Sequence, residues 1–545
     1  MSLTEHPLRT DKWVRECPLR MELSAPGRSI LMTSPASPRS SLLEDFSMTT
    51  TDLRLSRRTL LAGTAAVGLS NLLPLHSYAE GPVRGGVLKY STLGLDTADP
   101  HRHTGSISVQ QLYSEALTSI AADGSVEPFL AESFDISKDG KTYTFHLREG
   151  VVFHNGDVMS AADVVANIER VRTKVSGGWL ASAMKLVDDV SAPNEKTVVL
   201  AMREPYAPLG NLMSELWILS PKSEGWNETI KTPIGTGPFR FGEWQPKVKL
   251  TAPAHAQYWR KGMPYLSAVE ADLRDEADKA LALRAGDLHV ASLQADIAKQ
   301  LAGDPKFVVK PLKDAAWSFV SFNNRKPRKP FDDLRVRQAI AYAIDKTAFM
   351  NFASAGSGVI NNQMVLPGNL YFDQAMYDAD PHAKPDLKKA QALLREAGVD
   401  PTKETIEFVS WQENYPQVIV QMVRKLGFKV NHVALDDLGA QQRLGKYDWD
   451  MNCMSSGPRA DIFLRYVRLM SDGPNPVLWG GIQDPELDKL IKAAVAEPAI
   501  EARKALYLKA WRRVMDKYYF LVLGLSSNQI AMSRSVQGYD PGFTW

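Results

Sequence analysis

Disulfides do not hold this chain together: 545 residues contain two cysteines, Cys17 and Cys453, too few for a stapled scaffold, and no Cys/His cluster has zinc spacing. Charge of one sign is lacking as well. The 64 Lys+Arg against 62 Asp+Glu leave a formal net charge of +2, which excludes the basic excess of a nucleic-acid binder. No unbroken apolar run reaches the ~18 residues of a membrane span, so a polytopic membrane protein is excluded. The chain has no G-x-x-x-x-G-K-[ST], no H-E-x-x-H and no G-x-S-x-G, hence none of the local signatures for phosphate cradling, zinc proteolysis or a nucleophile elbow. Gly235-Thr-Gly-Pro-Phe-Arg lacks the third glycine of a dinucleotide fingerprint, and Pro238 obstructs a helix start there. What remains is an ordinary globular composition, 44% hydrophobic and 23% charged, on a chain long enough for two to four domains.

The first 79 residues read as something other than the fold. Residues 1–47 are rich in Ser, Pro and Arg and show no periodicity. After Met48 comes Ser56-Arg57-Arg58-Thr59-Leu60-Leu61, then an Ala/Gly/Leu-rich stretch to Leu75, then Ser77-Tyr78-Ala79 with small residues at −3 and −1 of a cut. A charged start, a short apolar core and a small-x-small site make a cleavable export signal, and the arginine pair resembles the twin-arginine type. Gly63, Gly68 and Asn71 make the apolar stretch too weak for a stable span. Met48 is the expected translation start. Removing residues 1–79 leaves 55 basic and 55 acidic residues and one cysteine. Cys453, between Met451 and Met454, reads as a small core residue.

Along the rest of the chain, helix and strand signals alternate. Residues 85–91 read as a first strand, and Val109 to Leu117 has helical spacing. Tyr143, Phe145 and Leu147 alternate with polar residues, as do Val198, Leu200 and Met202, predicting half-buried strands. Ser160-Ala-Ala-Asp163 is a capping box before a helix with Val164, Val165, Ile168 and Val171 inward. Asp332 or Asp333 caps a helix carrying Val336, Ala339, Ile340, Ala343 and Ile344. Residues 386–397 form another, stopped by Gly398. A strand at Ile406–Trp411, a helix to Gly427 and a strand from Phe428 follow, and 485–518 is helical with a break near Pro498. This alternation predicts α/β units with a mainly parallel sheet. His101 and His103, in Asp99-Pro-His-Arg-His, are the nearest approach to a metal pair; without a third ligand they read equally as polar loop histidines.

Four segments in series carry a resemblance. They are Tyr143-Thr-Phe-His-Leu-Arg-Glu-Gly-Val-Val-Phe-His-Asn-Gly-Asp running on to Ser160-Ala-Ala-Asp-Val; Gly235-Thr-Gly-Pro-Phe-Arg-Phe with Trp244; Phe322-Asn-Asn-Arg with Pro330-Phe-Asp-Asp-Leu-Arg-Val-Arg-Gln-Ala-Ile-Ala-Tyr-Ala-Ile-Asp-Lys; and Lys389-Ala-Gln-Ala-Leu-Leu-Arg-Glu-Ala-Gly-Val. From about Gly85 to the C-terminus the chain resembles the family 5 extracellular solute-binding proteins of bacterial ABC importers. The resemblance implies a two-lobed α/β periplasmic-binding-protein fold of type II. Lobe one would be 84–315 plus 515–545, with an inserted subdomain at about 120–197, and lobe two 316–514. The crossings would fall near Trp317–Asn323 and Tyr518–Leu525. It implies a monomeric, non-enzymatic periplasmic receptor with no cofactor and no resident metal. Its partners would be a small solute (peptide, opine or similar) and the permease subunits of the inner membrane, with no nucleic acid. A secreted hydrolase of the same solutes and a nickel-type chelate receptor are the alternatives.

In the family's peptide-binding members an aspartate of lobe two meets the peptide's α-ammonium. Aligning on Asp461 and Phe463 puts Ser456 at that place, with Arg459 three residues on. A guanidinium suits a carboxylate or phosphate bidentately, so the resemblance, with this departure from it, implies a polar or anionic solute rather than an ordinary free-amine peptide. Arg459 reads alternatively as the surface partner of Asp461. Asp461 is a further ligand-binding candidate, and so are Trp411, Trp317 and Asn323, which line the cleft or else are core residues.

Export is expected to depend on the arginine pair. Replacing Arg57 and Arg58 together by lysine should leave the precursor in the cytoplasm, scored by fractionation. Normal periplasmic accumulation of that double variant would contradict a twin-arginine route.

Overall fold

The computed structural model describes residues 83–539, apart from 93, 103–106, 176–178, 275–277, 313–315, 412–414, 458, 460, 474–475 and 527. Arg57, Arg58 and His103 lie outside the described residues. Two large sheets organise the chain. The first has seven strands in the order Trp244–Gln245, Lys249–Pro253, Ala268–Asp272, Val87–Ser91, Val290–Leu293, Gln529–Ser533 and Phe307–Pro311. The second has six, in the order Val359–Ile360, Phe520–Ser526, Ala316–Phe322, Met451–Ser456, Thr405–Trp411 and Lys429–Leu435. The chain therefore leaves the first sheet after Pro311, enters the second at Ala316, and returns between Ser526 and Gln529. Residues 316–322 and 520–526 are paired strands inside the second sheet. The crossings lie just outside those strands, and the expected 515–545 segment is divided between the two sheets.

Both sheets are mixed rather than mainly parallel. Parallel pairing is confined to Val87–Ser91 with its two neighbours and to Thr405–Trp411 with its two. The strands that lead into and out of a crossing run antiparallel to their neighbours, because a chain returning along the same hinge must reverse its direction.

Between the first strand and the rest of its sheet, a smaller four-stranded antiparallel sheet is inserted, in the order Ala131–Ile136, Thr142–Leu147, Thr197–Met202, Val187–Asn194. Its period-two pattern buries Tyr143, Phe145, Leu147, Val198, Leu200 and Met202 against the helix Ala161–Lys174. That helix opens where the Asp163 carboxylate accepts from the Ser160 N–H at 2.9 Å and from its hydroxyl at 2.8 Å. In the second lobe, Asp333 caps Leu334–Ala343, Asp345 caps Lys346–Ala353 and Asp386 caps Leu387–Glu396, each by accepting from a first-turn N–H. Their apolar faces and the second sheet enclose a core that includes the Cys453 thiol.

The segments that carried the resemblance interlock here. A Cβ on Gly235 would stand 1.9 Å from the Tyr113 carbonyl oxygen, and one on Gly237 2.6 Å from that of Leu112. Only glycine permits so close a backbone approach. The same turn receives His154, whose N–H donates to the Gly235 carbonyl at 2.9 Å. The Gly235 N–H donates to His154 Nδ1 at 3.3 Å, which leaves Nε2–H to donate to the Gly237 carbonyl at 3.0 Å. That tautomer is neutral, and burial pulls the His154 pKa down to about 4. Residues 109–117, expected as one helix, are instead a short helix, Ile107–Gln110, followed by the strand Glu115–Ala116. The glycine turn presses against Leu112 and Tyr113, and the Glu115 carboxylate must reach Thr236, Tyr258 and Trp259, from which it accepts at 2.9, 2.6 and 3.0 Å.

Candidate functional site

The C-terminal ends of the two central parallel strands of the second sheet, Thr405–Trp411 and Met451–Ser456, lie on one edge. In open α/β sheets ligands collect outside such ends. Trp317 pairs with Ser456, so this is also the edge at which the chain arrives from the first sheet. Trp411, Ser456, Trp317 and the loop bearing Arg459 are thereby brought together. Asn323 is not. It follows the far end of the seven-residue strand Ala316–Phe322, ~20 Å away at the usual rise. Its amide donates to the carbonyls of Tyr447 and Trp449 at 3.0 and 2.8 Å and accepts from the N–H groups of Arg325 and Lys326. Asn323 is a scaffold residue whose polar groups are all engaged.

Trp317 is fully buried, stacked on Phe319 at 4.3 Å and on Trp479 at 5.6 Å between ring centroids. It forms the floor of the edge rather than its lining. Trp411 is half-buried against the neighbouring core. Asp461 is buried, and it accepts from the Phe463 N–H at 2.6 Å. Burial raises its pKa, opposed by the charge of Arg503. Its charge partner is thus Arg503, on the helix Ile500–Asp516, and not Arg459. The tyrosines whose ionisation Asp461 opposes include Tyr143 and Tyr206 of the insert as well as Tyr371 and Tyr507 of lobe two. Tyr206 also meets Phe463 edge-on at 5.9 Å, and the Ala207 N–H donates to the Val495 carbonyl at 2.8 Å. Asp461 therefore sits where the insert closes onto lobe two.

Arg459 is half-buried, with its guanidinium turned back so that Nη1 would be 3.9 Å from a Cβ on Gly457. Two charged groups feel it. One is Arg468, whose pKa falls to about 10 through burial and then through repulsion by Arg459; its guanidinium lies 5.2 Å over the Trp479 ring. The other is Glu215, from lobe one, a residue only 4% exposed. Burial pushes its pKa up to about 8, against the pull of Arg459. Glu215 lies between the short helix Leu209–Leu212 and the strand Trp217–Ile218. The site is thus the Arg468 guanidinium over the stacked Trp317–Trp479 floor, with Arg459 on the loop beyond Ser456 acting by its charge on Arg468 and on the buried Glu215. Glu215, Arg468 and Trp479 were not among the sequence candidates. A signal existed for Glu215, as the lone acid in the apolar run Leu212-Met-Ser-Glu-Leu-Trp-Ile-Leu219.

His101 is committed elsewhere. Its Nδ1 accepts from Arg170 at 2.7 Å and its Nε2 donates to the Trp217 carbonyl at 2.7 Å. Arg170 also forms a buried, two-pronged pair with Asp99. With both ring nitrogens occupied, His101 staples the insert to lobe one. Among the described residues no group of three His, Cys, Asp or Glu is placed to hold a metal.

Comparison with known proteins identifies the architecture. The family model for bacterial extracellular solute-binding proteins, family 5, matches residues 125–470. The chain belongs to that family. Similar relatives of this solute-binding protein include the glutathione-binding protein GsiB of Pectobacterium atrosepticum, 28% identical over 350 residues, 62% of this chain and 67% of that one. Heme-binding protein A of Haemophilus influenzae is 28% identical over 475 residues, 79% of this chain and 85% of that one. Among solved structures, the periplasmic binding protein AgaA of A. tumefaciens in complex with agropinic acid is 25% identical, with a TM-score of 0.67 over 83% of this chain and 94% of that one. NikA from Brucella suis, 22% identical, shares the fold at a TM-score of 0.72, over 84% of this chain and 97% of that one. The two sheets with their insert are accordingly the two lobes of a periplasmic-binding-protein fold, and the family's members are binding proteins that work with ABC importers.

A carboxyl whose folded pKa is about 8 holds its proton where the unfolded chain, near the usual ~4.3, has lost it. Its contribution to stability is therefore full at low pH and lost as pH rises through 8. Glu215→Gln, which cannot ionise, should gain thermal stability relative to the unliganded wild type as pH rises from 5 to 8. A gap between the two melting curves that is independent of pH would show that Glu215 is ionised and compensated throughout.

Proposed function

We propose that this solute-binding protein, a monomer exported by the Arg57-Arg58 signal, captures a small polar solute bearing an anionic group, which Arg459 grips between the lobes. The closed form is then presented to the permease of an ABC importer. The reading is carried by the position of Arg459, on the loop that follows Ser456 at the carboxyl-end edge of the second sheet, where its charge acts on Arg468, itself over the Trp479 ring. An anion bound there would be attracted by both guanidiniums. Ser456, buried on the last residue of its strand, offers a hydroxyl at the place where a peptide receptor would offer a carboxylate. The named ligands of relatives are in keeping with an acidic solute: glutathione for GsiB and agropinic acid for AgaA.

Charge-assisted hydrogen bonds contribute about 1.5–3 kcal/mol. Arg459→Ala should therefore weaken binding of an anionic solute roughly ten- to hundredfold by titration calorimetry, with the melting curve of the unliganded protein little changed. Arg459→Lys should recover part of this, because an ammonium lacks the planar fork. Unchanged affinity in Arg459→Ala would remove Arg459 from the site.

A further inference from the structure

Just beyond the loop that follows Ser456, the single helical turn Phe463–Tyr466 faces two ways. Ile462 and Tyr466, four residues apart and so on one side of the turn, are buried in a core of lobe two with Trp317, Trp479 and Trp511. Leu464 points elsewhere. It is 6% exposed, yet it is buried in none of the lobe-two cores. The other buried residues of the cluster that holds it run from Leu117 to Ile218, among them Phe145, Ile168 and Leu212 of the insert and its flank. Phe463 and Val495, also of lobe two, pack on the same cluster. Phe463 meets Tyr206 edge-on at 5.9 Å. Two backbone bonds cross beside them, from the Ala207 N–H to the Val495 carbonyl at 2.8 Å and from the Leu370 N–H to the Asp123 carbonyl at 2.7 Å.

The insert itself is fixed to lobe one. Asn167, on the helix Ala161–Lys174, donates to the Leu219 carbonyl at 2.7 Å and accepts from the Leu219 N–H at 3.1 Å. Arg170 of the same helix holds Asp99, and His154 is seated in the glycine turn. When the lobes part about their two crossings, the insert therefore travels with lobe one. Leu464, Phe463 and Val495 are then drawn out of its core into water, which is unfavourable in proportion to the apolar area exposed. The loop is affected too. Ser456 anchors one end of it on the second sheet. At the other end the Asp461 carboxylate accepts from the Phe463 N–H at 2.6 Å, and the Asp461 carbonyl from the Leu464 N–H at 3.1 Å. Only six residues separate Ser456 from Phe463, so the seat of Leu464 constrains the path of the loop that bears Arg459.

We propose that Leu464 and Phe463 are positioning residues for solute capture: seated in the core of the insert, they form an apolar clasp that closes the lobes and sets the loop between Ser456 and Asp461 in place before a solute arrives. This rests on the reading of that loop as the solute edge, but the clasp itself needs no solute. The closed form is thereby a populated state of the empty protein, and the apparent affinity for a solute scales with the fraction closed.

The test uses the mature chain with no solute present, so its outcome is independent of what Arg459 binds. The native Cys453 is buried, and spin labels go on the exposed surface of insert and lobe two through Lys138→Cys with Lys489→Cys. The expected distance distribution has two populations, the shorter matching the separation in this structure. Leu464→Ala should deplete the shorter population about tenfold. Leu464→Met, which keeps the apolar volume, should restore it. Val495→Ala, on a different helix, should deplete it as well. Hydrogen exchange of the 456–463 amides should quicken in Leu464→Ala, while that of the strand Thr405–Trp411 stays slow. A single long distance in the wild type, or a short population unchanged in Leu464→Ala and Val495→Ala, would overturn the clasp. A depleted short population with unchanged exchange at 456–463 would overturn the positioning of the loop. Exchange quickened throughout lobe two would make Leu464 an ordinary core residue and overturn the proposal as a whole.

Discussion

Everything in this protein depends on a chain that passes between its two sheets twice, once between Pro311 and Ala316 and once between Ser526 and Gln529. The two crossings leave from adjacent strands, since Ala316–Phe322 and Phe520–Ser526 are paired in register. Two neighbouring connections make a hinge: they fix the axis about which the lobes turn and leave the angle free. They also decide where function is located. The strand that begins at the crossing pairs Trp317 with Ser456, so the loop after Ser456 faces the other lobe whatever the ligand is. The insert adds a second line of contact, through Tyr206 and Ala207 against Phe463 and Val495. Closure is therefore completed by packing and does not rest on the solute alone.

Charge is handled differently inside the lobes and between them. Within each lobe, buried charges are neutralised locally and rigidly: Asp99 by Arg170, Lys346 by Asp380, Asp450 by Arg328. Such pairs are costly to break, and they lock the subdomain and the helices in place. Between the lobes the charged groups act on one another at longer range. Arg459 and Arg468 repel each other, and Glu215 is raised by burial with only a distant cation opposite.

The scaffold was largely legible from sequence because its signals are local. Ser160–Asp163, Asp333, Asp386 and Gly398 mark helix ends through backbone chemistry that involves neighbours only, and the alternation at Tyr143–Leu147 is a property of one strand. Residues 109–117 misled because what ends that helix is remote: the turn at Gly235 and Gly237 and the three donors that claim Glu115. The site was legible only in part, for the same reason. Ser456 ends a strand and Arg459 lies three residues beyond it, so the strand alone assigns both to one edge of the sheet. Asn323 was drawn in because a hinge was expected within the strand it follows, instead of at the other end. Asp461 was read against Arg459, its neighbour in sequence, where Arg503 is its neighbour in space. Glu215 lies in a different lobe from Arg459, and no periodicity connects them; an acid alone among apolar residues was its single trace.

The central claim is that two hinged lobes close over a solute held at the carboxyl-end edge of the second sheet. Small-angle X-ray scattering on the mature chain, with and without a saturating solute that raises its melting temperature, tests this most directly. The account predicts a smaller radius of gyration on binding, with the mass still that of one chain. An unchanged radius alongside proven tight binding would contradict it, because the solute would then be held by one lobe alone.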